Sequence, residues 1–311
     1  MTSLHVDQRD ADLRHAAGAV EVRCQDGRIQ RVPLAQLSRL TIHSEATVSV
    51  GLLRQLSAAG IALLITAGRS RGEACMLWPH AGDARRRLAQ YRSLDTPASC
   101  LAWAKLVVRL KVHSQRRVLR RARLQRPDLR YPLTRGIKLL GGVLAKATSA
   151  TGLSALRGIE GVAARIYFGV LRHLFAPSLG FVGRRRRPPT DPVNACLSLG
   201  YTLLMGRALD LVHSAGLDAA LGALHDPAYN RPSAACDLME LERWRIEWRV
   251  YRLFAEQSLT AEHFGRTADA CLLGKAGRPL FFAAIEPELR LAEKRMRRSL
   301  YRAIQQLEAA P

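Results

Sequence analysis

The spacing of apolar residues changes once along this chain, and that change limits what it can fold into. Up to about residue 78 they come in short runs between turn signals. Ala19–Arg23 and Ile29–Val32 flank Gln25-Asp26-Gly27-Arg28, whose Asp-Gly pair marks a hairpin. Arg39–Ile42 and Thr47–Val50 read as two further strands. Leu52–Ala59 reads as a short helix closed by Gly60, and Ile61–Thr66 as a buried strand. Gly68–Gly72 is a turn signal, with Glu73–Trp78 returning as a strand. Pro79-His80-Ala81-Gly82 then breaks the pattern. From Asp83 onward the spacing is helical, over 84–92, 101–125, 134–147, 155–175, 193–215 and 288–309. The fold class is therefore α+β: a small β-rich domain over residues 1–80 and a larger helical domain over 83–311. A chain of 311 residues, 48% hydrophobic, can give both domains a core.

The charge is far from balanced. There are 48 Lys and Arg against 26 Asp and Glu, a formal charge of +22, which predicts a polyanionic partner. Between Arg109 and Lys138 stand 11 basic residues and one acid, Asp128, so the excess is clustered. Arginine-rich codon usage and an ordinary solvated helix face are the plainer accounts of these two facts. The last helical stretch adds Arg290, Lys294, Arg295, Arg297 and Arg298. No two of the six cysteines are closer than 25 residues, so zinc-knuckle and CxxC chemistry is excluded and free thiols are expected. The N-terminus has no apolar signal core and no 18-residue apolar run occurs, so a soluble, cytoplasmic protein without a membrane is expected.

Against this basic background, a few acids stand in apolar surroundings. In 155–175, Leu156, Ile159, Val162, Ala163, Ile166, Tyr167, Val170, Leu171 and Leu174 share one broad helix face, and Glu160 lies inside that arc. A carboxylate there needs a partner. A metal and a salt bridge to an arginine are equally compatible with the helix alone. Gly158 and Gly161 leave room beside it. His225 precedes the Asp226-Pro227 turn; alone it would be a structural histidine. Pro232-Ser233 then signals a helix start, with Ser233 as cap. On the wheel of that helix, Asp237 and Glu240 point with Leu241, Trp244, Trp248 and Tyr251 to the apolar side. Two such carboxylates repel unless a cation or proton lies between them. Glu242, Glu247 and Glu256 fall off this face and look ordinary. One imidazole with two or three carboxylates suits a hard divalent ion. Arg184, Arg185, Arg186 and Arg187, between Gly183 and Pro188, form a basic loop suited to phosphate oxygens. Pro192 opens a core helix, and a small hairpin is expected around Lys275-Ala276-Gly277-Arg278.

Three blocks carry a family resemblance: LRGIEGVAARIYF at 156–168, RRRRPPTDPVNACLSLGYTLL at 184–204 and GLDAALGALHDPAYNRPSAACDLMELER at 216–243. With PLAQLSRLTIH and GIALLIT further upstream, the chain resembles the CRISPR-associated integrase and endonuclease family (Cas-one). The resemblance implies a β-sandwich-like N-terminal domain, for dimerisation and partner contacts, and an α-helical catalytic domain that binds metal and DNA. It implies metal-dependent insertion of spacer DNA into the CRISPR repeat array by 3′-hydroxyl attack, and endonuclease activity. Its metal ligands would be Glu160, His225 and Glu240, holding Mn2+ or Mg2+, with Asp237 an accessory catalytic acid. Its partners would be double-stranded DNA (prespacer and CRISPR repeat), a second copy in a homodimer, and a small Cas-two subunit. The family's motif is often followed by Phe-Arg-Pro; Leu241-Glu242-Arg243-Trp244 keeps only the Arg. The rival functions are a non-catalytic basic DNA-binding subunit and a metal-dependent nuclease acting on RNA.

Overall fold

The computed structural model describes residues 2–66, 75–77, 83–185, 188–229, 231–267 and 269–309. The expected Gly68–Gly72 turn and the Pro79–Gly82 linker lie outside them. The chain forms two compact units, Met1–Asp83 with His213–Leu217, and Ala84–Val212 with Asp218–Pro311.

The first unit is strand-rich. Its strands are β1 (Thr2–Val6), β2 (Ala11–Ala16), β3 (Ala19–Arg23), β4 (Ile29–Pro33), β5 (Leu37–Ile42), β6 (Ala46–Val48), β7 (Ala62–Ile65) and β8 (Cys75–Leu77), with helix α1 (Val50–Ala58) after β6. They form two four-stranded sheets, ordered β1-β5-β7-β8 and β4-β3-β2-β6. Leu4, Leu13, Val20, Leu40, Leu52, Leu56 and Leu63, from both sheets and α1, fill one core. The Asp26-Gly27 turn joins β3 to β4 as expected, with Gly27 at φ 82°. Strands β1 and β2 carry no sequence signal strong enough to read. Their inward residues, Leu4, Val6, Ala11 and Leu13, alternate with His, Arg and Asp. The β2–β3 turn uses Ala17-Gly18, both at positive φ, in place of the usual Asn or Asp before Gly.

The second unit is helical: α2 (Ala84–Asp95), α3 (Pro97–Gln125), α4 (Arg130–Ser149), α5 (Leu153–Leu171), α6 (Pro192–Ser214), α7 (Ser233–Glu240), α8 (Arg243–Ala255) and α9 (Gly277–Ala309). A small ribbon, β9 (Phe264–Arg266) against β10 (Cys271–Leu273), precedes α9. The hairpin therefore lies upstream of the position expected from Lys275–Arg278, because Gly277 opens a helix. Helix α6 is long and apolar enough to cross a membrane by composition, yet 67% of its apolar window is buried inside the protein, as in a core helix.

Two glycines set how closely these helices pack. A Cβ on Gly136 of α4 would lie 2.8 Å from Val170 of α5, and one on Gly200 of α6 would lie 2.5 Å from Ile246 of α8. Gly142, by contrast, faces open space in α4. In urea denaturation, Gly200→Ala is expected to cost about 1–3 kcal/mol through overpacking. Gly142→Ala is expected to leave stability unchanged or raise it by up to about 1 kcal/mol, the helix-propensity difference. Equal effects at both positions would contradict this packing.

Candidate active site

Helix α3 contributes a residue whose position in the basic stretch concealed it. Lys111 lies on the buried side of α3 with Ala104, Val108, Val112 and Val118. Its Nζ donates to Glu160 Oε1 of α5 at 2.5 Å and stands 2.7 Å from Glu240 Oε2 at the end of α7. The Lys111 and Glu240 side chains are 10% and 4% exposed, and that of Glu160 is 25% exposed. Glu160 is thus ion-paired, as one of the two sequence readings allowed, but to a lysine, and the same lysine reaches a second acid.

Glu240 has a second cation. Arg243 Nη1 donates to its Oε1 at 2.5 Å. Burial works against the charge on Glu240, but Arg243 and Lys111 outweigh it and hold the carboxyl down at about 2. Oε2 is buried and makes no well-directed hydrogen bond; the Lys111 ammonium is the cation beside it. Arg243 is itself held, with its guanidinium 4.2 Å from the ring centre of Tyr201. The Tyr201 hydroxyl donates to Glu247 Oε1 at 2.7 Å, and the Tyr167 hydroxyl to Oε2 at 2.6 Å. Burial, reinforced by the charge of Glu247, pushes both phenols well up. Glu247 is 3% exposed, so its expected ordinary role is corrected. A single wheel through α7 and α8 places it on the outer face, but the two are separate helices. Helix α7 stops at Glu240, and a turn at Leu241–Glu242 resets the faces before α8. Glu242 is likewise buried and paired with Arg245 at 2.6 Å.

Asp237 and Glu240 are both buried, as expected, but they share no cation. Asp237 turns to the preceding loop. Its Oδ2 accepts the backbone N–H of Ala223 at 2.6 Å and of Leu224 at 2.9 Å, and its Oδ1 accepts that of His225 at 3.2 Å. The same Oδ1 is 2.6 Å from His225 Nδ1. With Asp237 Oδ1 as acceptor, the neutral ring carries its proton on Nδ1, and Nε2 then keeps its electron pair. From α5, Arg157 Nε donates to Leu224 O at 2.6 Å, and its Nη2 pairs with Asp226 at 2.5 Å. Ser233 is the first residue of α7 and not its cap; its hydroxyl donates to Asp226 O at 2.8 Å. Gly222 permits this closure, since a Cβ there would meet the Ser233 carbonyl at 2.6 Å and Asp237 Oδ2 at 2.8 Å.

Among the described residues no three His, Cys, Asp or Glu side chains stand close enough together to hold an ion as they are. The basic loop divides. Arg184 turns onto α6, donating to Asn194 Oδ1 at 2.9 Å and Ser198 Oγ at 3.1 Å. Arg185 is exposed, and Arg186 and Arg187 lie outside the described residues. On α3 and α4, Arg109, Arg117, Arg120, Arg121, Arg130, Arg135 and Lys138 are exposed. Partial burial, with the field of Arg116, Arg109, Arg120 and Arg117, lowers the pKa of His113 among them.

A sequence model described as "CRISPR associated protein Cas1" matches residues 4–287. The chain belongs to the Cas1 family. It is 32% identical to a CRISPR-associated endonuclease Cas1 of Thermodesulfovibrio yellowstonii, over 92% of this chain and 91% of that one. It is 35% identical to one of Rhodospirillum rubrum, over 78% and 73%. Its fold matches a Cas1 protein from Thermotoga maritima at TM-score 0.85 and 21% identity, over 99% of this chain and 97% of that one. It matches a casposase bound to integration product at TM-score 0.85 and 18% identity, over 98% and 91%. The β-rich unit followed by a helical one is the architecture of this Cas1 fold.

The depressed pKa of Glu240 has a sign. Its stabilising effect is fully present above pH 4.5, the ordinary value, and is lost as pH falls through about 2. That shift corresponds to roughly 3 kcal/mol. In urea denaturation the Glu240→Gln deficit should shrink between pH 7 and pH 3. An equal deficit at both would contradict an ionised, paired Glu240.

Proposed function

We propose that this Cas1 protein is a CRISPR-adaptation integrase and endonuclease working in the cytoplasm on double-stranded DNA. It inserts prespacer DNA into the CRISPR repeat by attack of a 3′-hydroxyl on a phosphodiester. The observation that carries the reading is the convergence of Glu160 of α5 and Glu240 of α7 on one cation position, with His225 oriented by Asp237 of the same α7. Relatives named CRISPR-associated endonuclease support the nuclease half. The similarly folded casposase, bound to integration product, supports the integrase half.

The donor set fits a hard divalent ion. Glu240 Oε2 is a buried oxygen with the Lys111 ammonium beside it and no other well-directed donor, Glu160 shares that cation, and His225 keeps Nε2 free of the Asp237 contact. Glu160, His225 and Glu240 would hold Mn2+ or Mg2+, which when bound supplies Lewis-acid polarisation of the phosphate. The chain's own residues do the rest. Asp237 fixes the tautomer and the angle of His225. Arg243 keeps Glu240 ionised at any working pH. The exposed arginines of α3 and α4, with Arg185 to Arg187, would hold phosphate backbones. In strand transfer the attacking 3′-oxygen forms a bond to phosphorus while the bond to the departing 3′-oxygen breaks. That oxygen takes up the proton the attacker loses, so the number of esters is conserved. With water as attacker the same exchange is hydrolysis.

A homodimer and a complex with a small Cas2 subunit complete the reading; a Cas6-RT-Cas1–Cas2 complex contains a chain of this fold. The first unit would carry those contacts. Strand β4 ends one of its sheets with Ile29 53% exposed, an edge open to pairing. A non-catalytic DNA-binding subunit would explain the charge equally well, but not the acids converging in the helical unit.

The test is integration of a short duplex into a supercoiled repeat-bearing plasmid, with Mn2+ and with or without the small partner. His225→Ala is expected to lower strand transfer about 100-fold or more, with duplex affinity within about threefold of wild type and the same salt slope. An RNA duplex should be inert. Full activity of His225→Ala with Mn2+ would end the assignment.

A further inference from the structure

Lys111 stands between the two carboxylates proposed as ligands. Its Nζ is 2.5 Å from an oxygen of Glu160 and 2.7 Å from an oxygen of Glu240, so one ammonium bridges two of the three proposed ligands. We infer that Lys111 is the site's internal counter-ion: it holds the two carboxylates together in the metal-free protein and has to leave them when a divalent ion binds. The inference rests on the metal-site reading above.

Three observations carry it. The first is charge. Two buried or half-buried carboxylates drawn to one point repel each other unless a cation lies between them, and Lys111 is the cation in that place. A divalent ion and an ammonium bonded to the same two oxygens would lie only a few ångströms apart in a protected site, where like charges repel strongly. The second is the oxygen at stake. Glu240 Oε2, buried and with no other well-directed donor, is the atom that faces Lys111. Its electron pairs become available to an ion once the ammonium withdraws. The third is which cation can move. Arg243 is anchored to the other oxygen of Glu240 and against Tyr201, which Glu247 holds in turn. Lys111 reaches the acids on a flexible four-carbon stem and makes point-charge contacts that can be exchanged.

Two consequences follow. Ion binding is a competition, so the apparent affinity is the intrinsic one multiplied by the small fraction of molecules in which Lys111 has left the seat. The displaced ammonium also stays at the site, placed to meet a phosphate oxygen. Lys111 is in this sense a positioning residue that sets the ion's affinity.

The experiment is calorimetric titration of Mn2+ into the full-length, metal-free protein. Lys111→Met is expected to bind Mn2+ about tenfold tighter than wild type, while its metal-free Tm falls because the acids lose their shared cation. A merely structural lysine would lower Tm and leave affinity unchanged or weakened; a Kd within about twofold of wild type, or weaker, overturns the inference. Should Lys111→Met fail to fold, wild-type protein decides. Reductive methylation, read by mass spectrometry, should spare Lys111 without metal and modify it severalfold faster at saturating Mn2+. Unchanged labelling while Mn2+ binds overturns the inference and leaves the metal site standing. If wild type binds no Mn2+ at all, the metal site falls, and the inference with it.

Discussion

A carboxylate removed from water must find a cation or a set of hydrogen-bond donors, and Glu240, which meets that need with cations, organises the helical unit at one point. Glu240 is almost fully buried and meets it twice, through Arg243 on one oxygen and Lys111 on the other. Lys111 in turn reaches Glu160, which brings α3, α5 and α7 to a common electrostatic node. Removing one partner would leave a charge stranded, which costs far more than the intact network contributes. The node is therefore weak evidence of stability and better evidence of function. A fold that needed only cohesion would be served as well by apolar side chains.

The surrounding structure keeps that node in place. Asp237, one turn before Glu240, ties down three successive backbone N–H groups and His225 Nδ1, so a loop behaves as a fixed extension of α7. Gly222 lets the loop lie against the first turn of that helix. Behind Arg243 stand Tyr201, Glu247 and Tyr167, every hydroxyl directed to a carboxylate oxygen. Rigid support of this kind is what a phosphoryl-transfer site requires, since positioning and charge supply most of the catalysis.

Much of this was legible in the residues alone. The change from strand-like to helical spacing separates the two architectures, and the Asp26-Gly27 turn and the α6 core helix follow from local chemistry. Glu160, Asp237 and Glu240 stand out because acids on apolar faces demand partners. What could not be read is who the partners are. Lys111 stood among eleven basic residues, and its inward direction shows only against Val108 and Val112 on the same helix. Glu247 falls on the outer face of one continuous wheel because the break between α7 and α8, at Leu241–Glu242, has no proline or glycine to announce it. Asp237 and Glu240 looked like a pair on the wheel. Tertiary structure gave one to a loop and the other to two cations.

The proposed divalent-ion site joins Glu160, Glu240 and His225, with its two carboxylates gathered around Lys111 before any ion arrives. Anomalous diffraction at the manganese edge, from crystals soaked in Mn2+, tests it directly. One strong peak is expected within bonding distance of a carboxylate oxygen of Glu160, Oε2 of Glu240 and Nε2 of His225, with the Lys111 ammonium withdrawn from both acids. Manganese bound elsewhere, or Lys111 still bridging Glu160 and Glu240 at saturation, would contradict it.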